Sequence, residues 1–479
     1  MQRAMIGSVP VFYEAGPAPL SGALVFRVGL RDESFRTSGV THVIEHLVMG
    51  TLPKSHLDHN ARVEAGLTIF HATGRPEAVA DFLNRVSAAL ADLPIDRLAH
   101  EVGVIEAEDG NSVHPALAWA AGLRYGNDGI GLVSGAGAPL DQLTVEHVRA
   151  HAARFFVDGN AALIFTGNPP EGLELALPLG PRPQREASIP TNLPARGFAI
   201  DEMPWPVLSY TLSDHEMPWL YSAVLTERVM DDLRYRQGIS YSVDGDYTYV
   251  DGEVLVALMP DGRPGQEKAV TESLWRALVD LAATGPSQTE LDHVIEAAAE
   301  DMRDPRAALD RLTDVAARHL NDAPIRSVED ELAQARAVTP AQAQAKAQQA
   351  LETALLGVPE DVGADLGALP DVSDDTYPSG EHVEGRRFKR RALALAPMDL
   401  SVVAGPAGMS CRAAGHTSTA AWSDVVGVAV FGNDRYVVLR SGQQLPLFGR
   451  HIRDAKTLFA IIESEVGDRV FEVKDDPIG

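Results

Sequence analysis

The chain has one cysteine, Cys411, among 479 residues. A lone thiol can form no intramolecular disulfide and no cysteine-based zinc site, so covalent staples and thiolate cages are excluded. Aromatic residues make up only 6%. No stretch approaches the length of about eighteen consecutive apolar residues that marks a membrane-spanning helix. The opening MQRAMIGSVPVFYEAG lacks the apolar run of a signal peptide, so a cytoplasmic location is expected. Basic residues are scarce: 41 Lys and Arg face 67 Asp and Glu, a net charge of −26. Phosphate contacts need clustered cations, which argues against nucleic acid as a partner. Such an acidic excess promotes solubility, or it lines an interior that attracts basic peptides.

A hydrophobic fraction of 45% and a charged fraction of 23% are those of a globular protein, and 479 residues are too many for one core. Residues 11–30 alternate around a Pro/Gly turn, which predicts two strands. Helical periodicity follows around 40–49, 77–93, 98–109 and 143–156, then an apolar strand at 161–168. The second half repeats the plan, with strands at 207–213, 240–250 and 252–260. Its helices are expected over 217–236, 265–284, 287–303, 305–320 and 338–351. LTVEHVRAHAARFF and VTPAQAQAKAQQAL both place a Thr at the N-cap of a closing helix, which suggests a duplication with a period of about 195 residues. The Pro-rich stretch 178–197 marks the seam. The organisation expected is therefore α+β: half-domains at 1–185 and 195–365, an acidic linker at 366–390, and a module at 391–479. RRFKRR at 386–391 reads as a solvated linker end, or as a patch for anionic lipid. Short strands capped by an amphipathic helix at 454–468 resemble the bacterial PH-like domains.

In GVTHVIEHLVMGT, His42 and His46 are i and i+4, so both imidazoles project from one helix face, and Glu45 lies beside it. Ser38 and Gly39 precede this helix, and Gly50 is placed to end it. That spacing suits two ligands of one ion with a carboxylate near its water; it equally suits an ordinary amphipathic helix. In HEVGVIEAEDG, Glu101 and Glu108 are seven apart, two turns along one helical face. Carboxylates directed inward are costly unless a cation meets them. Glu108 would complete a two-His, one-Glu set with a fourth position open. Glu101 would accept a hydrogen bond from a ligand imidazole and fix its tautomer. Glu106 falls on the solvated side.

H-x-x-E-H followed by E-x-x-x-I-x-x-E resembles the pitrilysin/insulinase family of zinc peptidases, the inverzincins. LRYRQGISYSV at 233–243 is similar to a second-half segment of that family. Over about residues 5–360 the resemblance implies two duplicated half-domains, each an antiparallel-rich sheet covered by helices. It implies one Zn²⁺ per chain on His42, His46 and Glu108, with Glu101 behind them. It also implies hydrolysis of peptides by a zinc-activated water, with Glu45 as general base and Arg234 and Tyr241 contacting substrate. Members enclose substrate between four half-domains, so this chain would act as a homodimer, or as a heterodimer with a related subunit. A non-catalytic subunit of a processing-peptidase-like complex is the other role the family implies. Two departures stand out. His46 and Glu108 are separated by 61 residues, against roughly seventy-five in typical members. The shortfall is expected where the family carries an Asn-Ala-x-Thr strand lining its cleft, so that 63–79 runs straight from the zinc helix into the next strand, with His71 near the site but not a ligand.

Overall fold

The computed structural model describes residues 1–53, 56–108, 113–213, 217–373, 380 and 382–474. Its first sheet contains β1 (Gln2–Ile6), β2 (Val9–Tyr13), β3 (Leu20–Phe26), β4 (Asp58–Val63), β5 (Thr68–Gly74) and β6 (Ala161–Phe165), in the spatial order β1-β2-β6-β3-β5-β4. Only β2 and β6 pair in parallel. The helices of this half are α1 (Val40–Met49), α2 (Pro76–Ala91), α3 (Leu98–Ile105), α4 (Pro115–Tyr125) and α5 (Val145–Phe155).

The second sheet runs β7-β11-β8-β10-β9, from β7 (Gly197–Asp201), β8 (Val207–Leu212), β9 (Val243–Val250), β10 (Glu253–Pro260) and β11 (Leu355–Pro359). Its parallel pair, β7 with β11, takes the place that β2 with β6 takes in the first. Six helices accompany it: α6 (Pro218–Met230), α7 (Glu267–Thr284), α8 (Gln288–Arg303), α9 (Ala308–Leu320), α10 (Val328–Arg336) and α11 (Pro340–Glu352). The expected duplication is visible at its closing helices. Thr144 caps α5 and Thr339 caps α11, each in a reciprocal capping box, and each helix leads into the parallel-paired strand.

Both sheets bury both faces. On β3, Leu24 and Phe26 meet Ile44, Leu47 and Leu83 of the first half's own helices, while Val25 turns the other way. That other face is covered by Leu312, Val315 and Ala316 of α9, which belongs to the second half. The arrangement is reciprocal. On β10, Val254 and Val256 meet the second half's helices, whereas Leu255 and Ala257 are covered by Ala116, Leu117 and Ala120 of α4, from the first half. Arg124 of α4 is carried deep into the second half, where it donates to the Ser209 and Thr353 carbonyls; burial lowers its guanidinium to about 10.

Three expectations about chain layout need correction. The helix α1 does not run straight into β5: β4, residues 58–63, lies between them at the sheet edge and carries Asn60 and Ala61. Its polar sequence DHNARV hides it, as edge strands often do. The region expected as a linker is partly packed, because Val372 is buried and donates to the Phe198 carbonyl. The linker also ends before 390: β12 (Arg386–Lys389) pairs with β13 (Ser401–Gly405) and buries Phe388 in the module's core. Residues 374–379 and 381 of the expected linker lie outside the described residues.

The C-terminal residues form two four-stranded sheets. One is β12, β13, β14 (Gly408–Ala413) and β15 (His416–Ala421); the other contains β16 (Val425–Phe431), β17 (Asp434–Leu439), β18 (Gln444–Phe448) and β19 (Val470–Glu472). Leu458 and Ile462 of α12 (Ala455–Val466) close the core between them. The module packs onto the first half through Phe35, Leu132 and Ala138 against Tyr436, Val438 and Phe471. Asn127 donates to the Leu439 carbonyl beside this contact, and Asp128 pairs with Arg440. Phe35→Ala should leave a cavity in this seam and lower unfolding free energy by about 3 kcal/mol in chemical denaturation, with earlier proteolytic cleavage between the first half and the module.

Candidate metal centre

The helix α1 is set in place by groups on either side of its two histidines. Gly39 has φ +82°, and a Cβ there would lie 2.3 Å from Leu140. This left-handed residue lets the Glu33 carboxylate accept hydrogen bonds from the Gly39 and Thr41 backbone amides, at 2.6 and 2.8 Å. Glu33 thereby caps a helix start that has no Ser, Thr or Asp cap of its own. Burial pushes its carboxyl up to about 7. From α5, His151 shares a 3.0 Å hydrogen bond between its Nε2 and the Thr41 hydroxyl. Burial drives this imidazole down to about 4.

Gly50 occupies the expected end of α1, but in right-handed conformation (φ −66°), so it is not a left-handed cap. Its role is clearance. A Cβ there would lie 2.9 Å from both the Arg97 guanidinium and Glu101 Oε1. Arg97, four residues before Glu101, sits within 2.5 Å of that carboxylate. The i,i+4 spacing of Arg97 and Glu101 was the available signal for this cation.

His42, His46 and Glu108 come together, with one ligand atom from each lying within 4.8 Å of the others. Glu108 Oε1 is 3.4 Å from His46 Nε2, and its Oε2 is 3.7 Å from His42 Nε2. The path to this position differs from the expected one. The helix α3 ends at Ile105, so Glu108 is reached through a turn and not along a helical face shared with Glu101. Exposure separates the two carboxylates: the Glu101 side chain is 6% exposed and that of Glu108 46%. Glu101 Oε2 lies 3.6 Å from His46 Nδ1, behind the ring nitrogen that faces Glu108. Glu106 is exposed, as expected.

Glu45 is buried between the imidazoles, its Oε2 3.6 Å from His42 Nε2 and 3.8 Å from His46 Nε2. Burial pushes its carboxyl up to about 7, and the Glu108 and Glu101 carboxylates add to the rise. Burial lowers His42, and His46 nearby lowers it further. Two imidazoles, one accessible carboxylate and a second, buried carboxyl form a donor set that suits a divalent ion.

Arg234 and Tyr241 are not part of this cluster. They lie in the second half, where a π-helical turn, Asp231–Arg236, continues α6. The Arg234 guanidinium stacks 4.8 Å over the Tyr241 ring, which is 73% exposed. Gly238 (φ +67°) turns the chain after that helix, as its sequence suggests. Asp261, overlooked in the sequence, holds the loop by accepting from the Tyr241 and Ser242 amides and the Ser240 hydroxyl. His71 is on β5 as expected. Its neighbours Phe70 and Ala72 face α1, so His71 shares the opposite face with Ile69, away from the helix that carries His42 and His46 and, contrary to expectation, not near the candidate site.

No protein-family model matches the sequence, and no curated protein matches it. Solved structures do match. The fold is that of the M16 peptidases. A peptidase M16 inactive domain from Pseudomonas fluorescens is 17% identical with a TM-score of 0.58, over 75% of this chain and 97% of that one. A protease from Helicobacter pylori is 12% identical with a TM-score of 0.62, over 75% and 99%. Pitrilysin is 14% identical with a TM-score of 0.51; the match covers 81% of this chain but only 51% of pitrilysin. Among the described residues, no helix is long and apolar enough to cross a membrane.

The two buried groups that hold α1 respond to acid in opposite senses. His151, held below its ordinary value of 6.5, stabilises the fold fully above pH 6.5 and loses that contribution as pH falls toward 4. Glu33, raised from 4.5 to about 7, stabilises the fold below pH 4.5 and loses that contribution as pH rises through 7. Glu33→Gln should therefore steepen the loss of stability between pH 6.5 and 4.5 by up to about 1.4 kcal/mol per pH unit. Denaturation curves across that range compare the two slopes, and parallel slopes would refute the assignment.

Proposed function

We propose that the chain is a zinc-dependent peptidase, hydrolysing peptides or short unfolded segments, with His42, His46 and Glu108 as the metal ligands. The observation that carries this reading is the convergence of those three donors on one point with Glu45 buried beside both imidazoles. Zinc held by these three residues would supply Lewis acidity for activating water and polarising a carbonyl at neutral pH. Glu45 takes a proton from the attacking water and returns it to the leaving amine. Burial raises the Glu45 carboxyl, and a cation at the three ligands would draw it back toward the ionised form that a general base needs. Glu101, anchored by Arg97, stands 3.6 Å behind His46 Nδ1, where its charge favours the tautomer that leaves Nε2 free for the metal. The edge of β4, packed beside α1, offers backbone groups to an extended substrate.

The chain spans about half of pitrilysin, which favours a working unit of two copies. In that unit the exposed Arg234 and Tyr241 of one copy serve the centre of the other, donating to the substrate backbone or the developing oxyanion. Half-domains at 1–185 and 195–365 and a PH-like module at the C-terminus belong to the same reading. A second reading, a non-catalytic subunit of a larger peptidase-like complex, is favoured by one observation: one of the similar structures is described as an inactive domain.

Two measurements separate these readings. Glu45→Gln should lower cleavage of a peptide library by roughly 10²–10⁴-fold, while metal analysis still finds about one zinc per chain. Undiminished cleavage in that variant would sink the mechanism, and zinc binding without any cleavage by the wild type favours the non-catalytic subunit. Mixing Glu45→Gln with Tyr241→Phe, each nearly inactive alone, should restore up to about a quarter of the activity if the sites are shared across a dimer. Absence of restoration after verified subunit exchange would place Tyr241 outside the partner's centre.

A further inference from the structure

Three of the most exposed large apolar side chains in the structure lie within six residues of one another. Leu393 is 97% exposed, Leu395 94% and Met398 83%. They sit on the loop between β12 and β13, which is a held shape and not a loose end. The Arg390 guanidinium donates to the Ala394 carbonyl and, at 3.1 Å, to the Ala396 carbonyl from within the turn. Leu393 itself has φ +67°, a left-handed conformation that a leucine rarely adopts. The apolar surface continues behind the loop into a cavity of about 930 Å³, whose lining includes Leu395, Pro397, Leu400 and Phe448.

The loop is flanked by cations. Residues 389–391 run beside 451–453, joined by hydrogen bonds from Arg391 to the His451 carbonyl and from Arg453 to the Lys389 carbonyl. This brings Lys389, Arg391 and Arg453 together with Arg387 and Arg450 on adjoining positions, and all five are exposed. Among the described residues none of the five is in an ion pair, whereas their neighbour Arg386 pairs with Asp454. The charge of the whole chain shows the same polarity. Residues 386–479 carry 13 Lys and Arg against 10 Asp and Glu, while residues 1–385 carry 28 against 57.

We infer that this loop of the C-terminal module docks on an anionic lipid surface, with Leu393, Leu395 and Met398 entering the headgroup–acyl boundary and the surrounding Arg and Lys side chains meeting the headgroups. The apolar tip distinguishes this from a nucleic-acid site, which would use the cations and leave exposed leucines without a role. The acidic excess of residues 1–385 is repelled by the same surface, so the module approaches first.

Flotation of the full chain with vesicles tests this. Wild type should float with phosphatidylcholine vesicles containing about 30 mol% phosphatidylserine and stay behind with phosphatidylcholine alone, and bind more weakly as salt rises from about 50 to about 500 mM. The double variant Leu393→Asp/Leu395→Asp should bind at least about tenfold more weakly, as should Arg387→Glu/Lys389→Glu, with thermal unfolding unchanged in both because the substituted side chains are solvent-exposed. No flotation of the wild type would overturn the inference. So would flotation indifferent to the leucine substitutions, or light scattering in which those substitutions abolish self-association without any effect on vesicles; the last result would assign the loop to a second copy of the chain.

Discussion

The structure depends on a reciprocal covering of its two central sheets. Each is apolar on both faces, and the helices of each half cover only one face of that half's own sheet. The uncovered face of the first sheet is closed by α9 from the second half, and that of the second sheet by α4 from the first. At about 25 cal/mol per Å² of apolar surface, leaving either face to solvent would cost far more than any ion pair at the seam contributes. The polar contacts there follow from this packing. Arg124 lies deep in the second half because α4 carries it there, and its donations to two carbonyls offset a burial that nothing else requires.

The candidate centre is held by a similar accounting of charge. Three carboxylates are buried around α1, and two of them have local partners. Glu33 accepts from two backbone amides and Glu101 is met by Arg97. Glu45 has no such partner among the described residues, and burial beside the Glu108 and Glu101 carboxylates raises its proton affinity. A carboxyl left short of positive charge beside two imidazoles and a fourth, accessible carboxylate is a local imbalance that a divalent cation removes. The distinction between the two acids of the second motif also becomes physical. Glu101 is buried and paired with Arg97, suited to orienting a ring; Glu108 sits beyond the helix end with nearly half its side chain open, suited to meeting an ion from the solvent side.

The parts that could be read in advance were those with strong periodicity or a spacing tied to chemistry. The bounds expected for α1, 40–49, match the structure because Ile44, Leu47 and Val48 mark its buried face. The paired Thr caps of α5 and α11 marked the repeat. The parts that could not be read were those that obey longer-range constraints. PALAWAAGLRY, which forms α4, is apolar on nearly every side, so it shows no helical stripe; its second face is needed only because it packs beneath the other half's sheet. The edge strands β1 and β4 are polar for the opposite reason, since an edge carries charge where an interior strand cannot. Glu33 is a helix cap six residues upstream of the residue it serves first, a distance that no local capping pattern covers. The two-turn spacing of Glu101 and Glu108 was geometrically sound for a helix, yet the helix stops between them.

The seam at Phe35 sets the order in which the molecule can be completed. Phe35 lies just before the turn that launches α1, and its ring packs 6.0 Å from that of Phe471. A ribosome makes α1 roughly 400 residues before the surface that steadies its leading turn, a contact of very high sequence separation. The nascent chain therefore carries α1 through that interval without its final wall, and the surroundings of the candidate centre are complete only once the Phe35–Phe471 contact has formed.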